Sequence, residues 1–213
     1  MNTRLPQAPA CARNREPILG ELRRLLAGRR RLLEIGSGSG EHAVYCAAHF
    51  PELRWQTSDL PEKLAGIRQW LEACPSANLP PPLALDIEDC WPPLSVDTIF
   101  TANTLHIVSA AAVESLFRKL PQVLAPAGQL IAYGPFSEDG DFGAQSNLDF
   151  DAWLRARDPL SGIRDLCWLD ALAAGAGMTR SETIAMPANN RLLVWRSTLQ
   201  GCGSRGLLNE ENR

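Results

Sequence analysis

The sequence lacks the residue clusters that mark metal proteins, redox proteins and disulfide-stabilised secreted domains. It contains only 3 histidines, and its 6 cysteines include no C-x-x-C pair. Zinc ribbons and thioredoxin-type sites require such pairs, so we expect no metal site and reduced thiols in the core or on the surface. A chain of 213 residues can bury a sizeable core without cross-links.

Long apolar runs and an excess of basic charge are absent as well. No stretch approaches the ~18 apolar residues of a membrane span, so we expect no association with a membrane. The 21 basic and 24 acidic side chains give a net charge of −3, whereas a nucleic-acid-binding surface leaves a basic excess. Residues 1–12 contain no secretory apolar core, which favours a cytoplasmic protein. These counts leave the oligomeric state open.

The chain does contain an alternation of strand and helix patterns. Predicted strands lie at 31–35, 54–58, 83–86, 96–101 and 129–133, and predicted helices at 17–28, 41–50, 62–73 and 110–124. This alternation predicts an α/β protein with a parallel sheet and helices on both faces. Two further strands, at 179–186 and 191–196, are joined by a link so short that they must form an antiparallel hairpin.

The ends of the chain differ from its centre in composition. Residues 1–12 show no periodicity, so we predict a flexible arm there, with the first helix opening at Pro17. Residues 198–213 are rich in glycine and polar residues and predict a disordered tail. A single domain is therefore expected over 13–197. Within it, residues 134–147 are rich in glycine and aspartate and predict a loop.

A glycine-rich segment, Glu34-Ile35-Gly36-Ser37-Gly38-Ser39-Gly40, joins the first predicted strand to a helix. Glycines here permit positive φ and expose bare backbone, and open α/β sheets bind ligands at the carboxyl ends of their strands. Dinucleotide-binding folds need G-x-G-x-x-G, but the sixth position here is Glu41, whose charge would oppose a pyrophosphate. A nicotinamide-dependent oxidoreductase therefore remains only a weaker alternative.

The E-x-G-x-G-x-G pattern resembles motif I of the class I S-adenosylmethionine-dependent methyltransferases, whose cofactor carries no phosphate. The resemblance implies that Glu34 helps to neutralise the ammonium of S-adenosylmethionine (SAM), directly or through water. It assigns the remaining cofactor contacts to Gly36, Ser37, Gly38, Gly40, Asp59, Leu60, Asp86 and Ile87. Asp59 would accept hydrogen bonds from the ribose hydroxyls, and Asp86 and Ile87 would hold the adenine. Either aspartate could instead be only a cap or a turn residue.

Four other segments resemble one particular family within the methyltransferases. They are Arg13–Leu19 (RNREPIL), Ala102–Ile107 (ANTLHI), Tyr133–Phe136 (YGPF) and Met186–Arg191 (MPANNR). All four are similar to a small methyltransferase-like family of unknown function, over roughly residues 11–197. Membership implies the class I methyltransferase fold, a Rossmann-like three-layer sandwich whose seven-stranded, mostly parallel sheet ends in an antiparallel hairpin. It implies no particular methyl acceptor.

The candidate catalytic residues follow the fourth predicted strand. His106 could act as a general base with a pKa near neutrality, or it could merely hydrogen-bond within its loop. Asn103 could face the substrate or contact the cofactor. No Asn-Pro-Pro-Tyr-like run follows this strand, which argues against the amino-methylating DNA and glutamine enzymes and favours a small-molecule acceptor.

A substrate pocket is predicted from residues near three strand ends and the first helix. The candidates are Tyr133, Phe136, Asn147, Asn189, Asn190, Arg13 and Asn14. Each also has a purely structural interpretation: core packing for the aromatic residues, a hairpin turn for the paired asparagines, and solvation for the arginine. The sequence therefore predicts a SAM-dependent methyltransferase, with a non-catalytic SAM-binding module as the main alternative.

Overall fold

The computed structural model describes residues 5–6 and 9–198, which alternate between strands and helices. The strands are β1 (Arg31–Ile35), β2 (Arg54–Asp59), β3 (Leu83–Ala84), β4 (Val96–Ala102), β5 (Leu124–Gly134), β6 (Phe136–Ser137), β7 (Arg164–Asp165), β8 (Met178–Met186) and β9 (Asn190–Ser197). The helices are α1 (Pro9–Leu25), α2 (Glu41–Ala47), α3 (Leu64–Ala73), α4 (Ala110–Val123), α5 (Gln145–Arg157) and α6 (Leu166–Gly175). A 3-10 turn, Pro61–Lys63, precedes α3.

The main sheet has seven strands in the order β3-β2-β1-β4-β5-β9-β8. Strands β1 to β5 run parallel to one another, whereas β9 runs antiparallel to both β5 and β8. This confirms the predicted mostly parallel sheet with an antiparallel C-terminal hairpin. The strand order reverses between β1 and β4, and a reversal of this kind opens a crevice at the carboxyl ends of the strands.

Apolar clusters cover both faces of the sheet. Leu32 of β1 belongs to the cluster formed with α1 and α2, whereas its neighbour Leu33 belongs to the cluster formed with α4 and α6. Successive strand residues point to opposite faces, so one short apolar strand contributes to both cores. The result is a sheet between two helical layers, as the alternating pattern predicts.

Helix α1 begins at Pro9, about two turns before the predicted start at Pro17. Residues 9–12 are therefore helical and do not belong to the expected flexible arm. Cys11 is buried and extends the apolar stripe of Ile18 and Leu22 toward the N-terminus. Burial of Cys11 in these added turns offsets the one intrahelical hydrogen bond that Pro17 cannot donate.

Part of the predicted arm and nearly all of the predicted tail, residues 1–4, 7–8 and 199–213, lie outside the described residues. Thr198, which we expected to belong to the tail, is bonded to the sheet end: its N–H and its hydroxyl both donate to the carbonyl of Gly177, at 2.9 and 2.8 Å.

The predicted loop at 134–147 contains regular structure. Strand β6 pairs in parallel with β7, and α5 already begins at Gln145, so Asn147 lies in a helix rather than in a loop. The apolar residues of α5 do not share one face, since Leu154 is buried while Leu148 and Trp153 are exposed. Without a helical stripe, the sequence carries little signal for the start of this helix.

No helix in residues 5–6 and 9–198 is long and apolar enough to cross a membrane. The same part of the chain has no group of three or more His, Cys, Asp or Glu side chains that could hold a metal ion. Five of the cysteines, at 11, 46, 74, 90 and 167, are free thiols.

Candidate functional site

A cleft of about 540 Å³, here called the first cleft, lies at the carboxyl ends of β1, β2 and β4. Most of the predicted cofactor residues line it, namely Gly36, Gly38, Asp59, Leu60, Asp86, Ile87 and Asn103. Glu34, Ser37 and Gly40 do not belong to its lining. The three strand ends therefore converge on one cavity, at the edge of the sheet where the reversal of strand order opens a crevice.

The three glycines of the loop all have positive φ, but they serve two different purposes. A Cβ at Gly36 would lie 2.5 Å from Thr104 Oγ1, and one at Gly40 would lie 3.2 Å from Ile67 Cα. These two glycines thus permit close packing against neighbouring chain. A Cβ at Gly38 would meet nothing within 4 Å, so its backbone faces the open cleft and can support a ligand.

Backbone donors hold the Asp59 carboxylate at the base of the first cleft. Its Oδ2 accepts from the Gly38 N–H at 2.7 Å, and its Oδ1 accepts from the Leu60 N–H at 2.8 Å. Burial raises the pKa of Asp59, while these two hydrogen bonds oppose the rise. Each oxygen keeps room for a further hydrogen bond, so the carboxylate can accept from both hydroxyls of a diol.

Glu34 lies beneath the glycine loop rather than in the cleft. Its side chain is buried, and Oε2 accepts a hydrogen bond from Trp55 Nε1 at 2.9 Å. Burial raises the pKa of Glu34 to about 7, although hydrogen bonds from Trp55 and Ser37 act in the opposite direction. Glu34 therefore lies outside the lining of the first cleft, and its expected role toward a ligand ammonium, directly or through water, stays a prediction.

The first cleft is acidic. Its lining contains the carboxylates of Asp59, Asp86, Glu88 and Asp158 and one basic side chain, Lys63. Such a lining attracts a ligand with net positive charge and opposes a pyrophosphate.

A second cleft of about 520 Å³ adjoins the first, and Asn103 lines both. Its lining residues are Ala10, Arg13, Asn14, Asn103, Tyr133, Pro135, Ser146, Asn147, Phe150, Pro187, Ala188, Asn189 and Asn190. Every predicted substrate-pocket residue except Phe136 lines this cavity. Phe136 packs in the core on the α4 and α6 side of the sheet instead, which agrees with its alternative interpretation as a core aromatic.

Asn103 sits directly after β4 with φ of 59°, a left-handed conformation that asparagine tolerates better than most residues. Its N–H donates to the Tyr133 carbonyl at 2.8 Å and so ties the ends of β4 and β5 together. The side chain of Asn103 therefore projects from a fixed backbone at the boundary between the two clefts.

His106 lines neither cleft. Its ring is 5% exposed and packs edge-on against Phe150, with 5.4 Å between ring centroids. Burial, aided by the charge of Arg164, lowers the pKa of His106 to about 4. The near-neutral pKa suggested by the sequence is therefore wrong, because an imidazole in this position loses the solvation that stabilises its charged form.

A hydrogen-bond chain that the sequence did not reveal reaches the second cleft from α2. His42 Nε2 lies 2.7 Å from Asn14 Oδ1, and burial lowers the pKa of His42 to about 4. An amide oxygen only accepts, so His42 carries its proton on Nε2. Burial raises the pKa of Tyr133, while a hydrogen bond from Asn14 and the charge of Arg13 act to lower it.

The hairpin turn between β8 and β9 forms part of the lining of the second cleft. Ala188 and Asn189 both have φ of 57°, the pattern of a type I′ turn. Asn147 Nδ2 donates to the Asn189 carbonyl at 3.2 Å, and Asn189 Nδ2 donates to Ser146 Oγ at 3.1 Å. Asn189 and Asn190 thus belong to the hairpin turn and also line the second cleft, so the structural interpretation and the pocket interpretation are compatible.

Sequence reasoning missed part of the first cleft. Thr104, Ile107, Val108 and Ser109 line it, and their position after β4 is the same signal that identified Asn103. Asp158 and Leu160 also line it but come from the segment after α5. No local pattern marks these last two residues, because only tertiary packing brings them to the strand ends.

The strand order and the clefts at the carboxyl ends define the class I methyltransferase fold. The chain belongs to the family described as "Protein of unknown function (DUF938)", whose model matches residues 5–197.

Several solved methyltransferase structures share this fold. An O-methyltransferase family protein from Burkholderia thailandensis matches with a TM-score of 0.78 and 16% identity, over 90% of this chain and 58% of that one. Human N-acetylserotonin methyltransferase in complex with SAM matches with a TM-score of 0.73 and 17% identity, over 88% and 52%. PigF with S-adenosylhomocysteine (SAH) matches with a TM-score of 0.74 and 16% identity, over 87% and 56%. The chain thus spans little more than half the length of these structures.

Proposed function

We propose that this chain is a SAM-dependent methyltransferase that binds SAM in the first cleft and a small-molecule acceptor in the second. The observation that carries the proposal is the position of Asn103, which lines both cavities at the end of β4. Ligands in the two clefts would meet at this residue. A methyl donor and an acceptor need such a shared boundary.

The residues of the first cleft fit SAM. Asp59 would accept from the ribose hydroxyls, Asp86 and Ile87 would flank the adenine, and the open backbone at Gly38 would support the chain that bears the sulfonium. SAM has two positive groups and one carboxylate, so the acidic lining favours it over a nicotinamide dinucleotide. Glu41, buried at the start of α2, strengthens that preference.

When bound, SAM would supply an electrophilic methyl group for displacement by a lone pair of the acceptor, and the electron pair of the broken carbon–sulfur bond would stay on sulfur. Positioning contributes most of the rate enhancement in such a displacement. We assign that role to Asn103, whose backbone is held to Tyr133. A protonated nucleophile would lose its proton to solvent, because His106 lines neither cleft and burial lowers its pKa to about 4.

Isothermal titration calorimetry with SAM, SAH, NAD⁺ and NADH tests the cofactor. We expect the wild-type protein to bind SAM and SAH, and Asp59→Ala to weaken both by about 10- to 100-fold, since charge-assisted hydrogen bonds are lost. Asp59→Asn keeps one oxygen that can accept from the backbone. It therefore shows whether weaker binding by Asp59→Ala comes only from a rearranged glycine loop. Asp89→Asn, an exposed carboxylate outside the lining, is the matched control.

Absence of SAM and SAH binding would overturn the proposal, and binding of NAD⁺ or NADH alone would replace it with an oxidoreductase. Turnover is tested separately, by measuring SAH release from SAM with panels of small hydroxy and amino compounds. Binding without SAH release from any panel would favour the non-catalytic module.

A further inference from the structure

The two clefts differ in charge. Four carboxylates line the first cleft, whereas Arg13 is the charged side chain in the lining of the second. The other polar groups of the second cleft are neutral amides and hydroxyls. A ligand with a negative group is therefore repelled by one cavity and attracted by the other.

The guanidinium of Arg13 is available to a ligand. It is exposed on α1, and no ion pair joins it to a carboxylate in the described part of the chain. Arg15, two residues further along, instead lies 3.8 Å from the carboxylate of Glu41. Arg15 thus has an acidic partner, whereas Arg13 has no such partner among residues 5–6 and 9–198.

Tyr133 supplies a second donor. The oxygen of the Asn14 amide accepts from His42, so its NH₂ group is the end that remains for Tyr133. The Tyr133 oxygen then accepts from Asn14, and its O–H can donate into the second cleft that it lines. The second cleft is therefore lined by a charged donor, the Arg13 guanidinium, and a neutral donor, the Tyr133 hydroxyl.

We propose that this pair binds a carboxylate of the methyl acceptor, so that the acceptor is a small carboxylic acid. Arginine matches a carboxylate with two parallel hydrogen bonds, and a tyrosine hydroxyl adds a third. Pro135, Phe150 and Pro187 provide apolar wall for the rest of the molecule, and about 520 Å³ accommodates an aromatic acid. The inference rests on the proposed function, since it names the class of substrate for the same site.

The carboxylate at the methionine end of SAM has the same chemistry, so the experiment must separate the two sources. SAH carries that amino-acid end, and 5′-methylthioadenosine lacks it. If Arg13 held the cofactor, Arg13→Gln would weaken the binding of SAH and leave the binding of 5′-methylthioadenosine unchanged. If Arg13 holds the acceptor, the affinities of both nucleosides stay as in the wild type.

The acceptor arm uses benzoate and its neutral analogue benzamide, titrated calorimetrically into protein saturated with SAH. We expect benzoate to bind more tightly than benzamide. Arg13→Gln should weaken the binding of benzoate at least about tenfold and leave the binding of benzamide unchanged. Tyr133→Phe, which keeps the packing, should weaken benzoate by a smaller factor. Arg23→Gln, an exposed arginine on the same helix, is the matched control and should behave as wild type.

Equal affinity for benzoate and benzamide, an unchanged benzoate affinity in Arg13→Gln, or a selective loss of SAH binding in that variant would each overturn the inference. In those cases SAH still binds the wild-type protein, so the proposed function stands. Failure of the wild-type protein to bind SAH would instead overturn the proposed function and this inference with it.

Discussion

Glu34, which is buried, and Asp59, which is half-buried, are acids on adjacent strands, and their surroundings separate their roles. Backbone N–H groups hold Asp59 where its remaining lone pairs face the first cleft. Glu34 accepts a hydrogen bond from the indole of Trp55 under the glycine loop, where it contributes to the stability of the fold. The same residue type therefore serves a ligand in one place and supports the glycine loop in the other.

The pH dependence of stability should report on Glu34. Its pKa is about 7 in the folded protein against an ordinary value of 4.5. Between these values the folded state binds a proton that the unfolded chain has released, so the free energy of unfolding falls as pH rises through this window. Glu34→Gln removes this titration. Between roughly pH 5 and 8, the free energy of unfolding of this variant should therefore fall by about 1–3 kcal/mol less than that of the wild-type protein, as measured by urea denaturation.

Glu72→Gln, an exposed position on α3, serves as the control and should retain the wild-type slope. If Glu34→Gln shows the same pH dependence as the wild-type protein, another buried group must be responsible.

At the scale of elements, the hairpin of β8 and β9 carries strain at its turn. Ala188 adopts φ of 57°, where its Cβ crowds the following carbonyl. The type I′ turn is nevertheless the one that matches the twist of the two strands, and Asn147 and Ser146 of α5 hold it in place. The sequence predicts the hairpin from its short link, but it does not show which residue is strained.

Replacing Ala188 by glycine should relieve this strain. We expect Ala188→Gly to raise the free energy of unfolding by up to about 1 kcal/mol, because glycine occupies the left-handed region without the Cβ clash. Ala185→Gly, in the strand of the same hairpin, should lower it by about 0.5–1 kcal/mol. Chemical denaturation of both variants measures the contrast, and two changes of the same sign would contradict the assignment of strain.

At the scale of the whole molecule, the segment between α5 and α6 clamps the loop that follows β4. The buried guanidinium of Arg164 donates to the carbonyls of Leu105 at 3.0 Å, Val108 at 2.5 Å and Leu160 at 2.8 Å. Ser161 Oγ also donates to the Ile107 carbonyl at 2.7 Å. Residues far apart in sequence thereby form one wall of the first cleft.

Arg164→Lys should disturb stability and binding together. A single ammonium cannot reach three carbonyls in different directions, so buried acceptors are left unpaired at a cost of about 2–4 kcal/mol. SAH affinity should also fall, since Ile107, Val108 and Leu160 line the first cleft. Urea denaturation and calorimetry measure the two effects. Arg157→Lys, at the exposed end of α5, is the control, and equal effects of the two variants would contradict the clamp.

Much of the sheet was predictable because strands, helices and glycine loops leave local patterns. Strand β1 has the predicted bounds, β2 exceeds them by one residue, and Asp59 lies at the strand end where the pattern placed it. The start of α1 was not predictable, since Pro17 is a local signal for a helix start that tertiary burial of Cys11 overrides. The shift of the His106 pKa was hidden for the same reason, because burial is a property of the folded chain.

The sequence by itself determined the alternation of strands and helices, the antiparallel hairpin and the glycine loop followed by acids at strand ends. Hydrophobic periodicity and backbone freedom act over a few residues and are visible in the chain. The tertiary structure alone decided that Asn103 borders two clefts, that Arg13 and Tyr133 line the second, and that Arg164 clamps the loop after β4. These arrangements depend on packing and hydrogen bonds between distant segments, which no local pattern encodes.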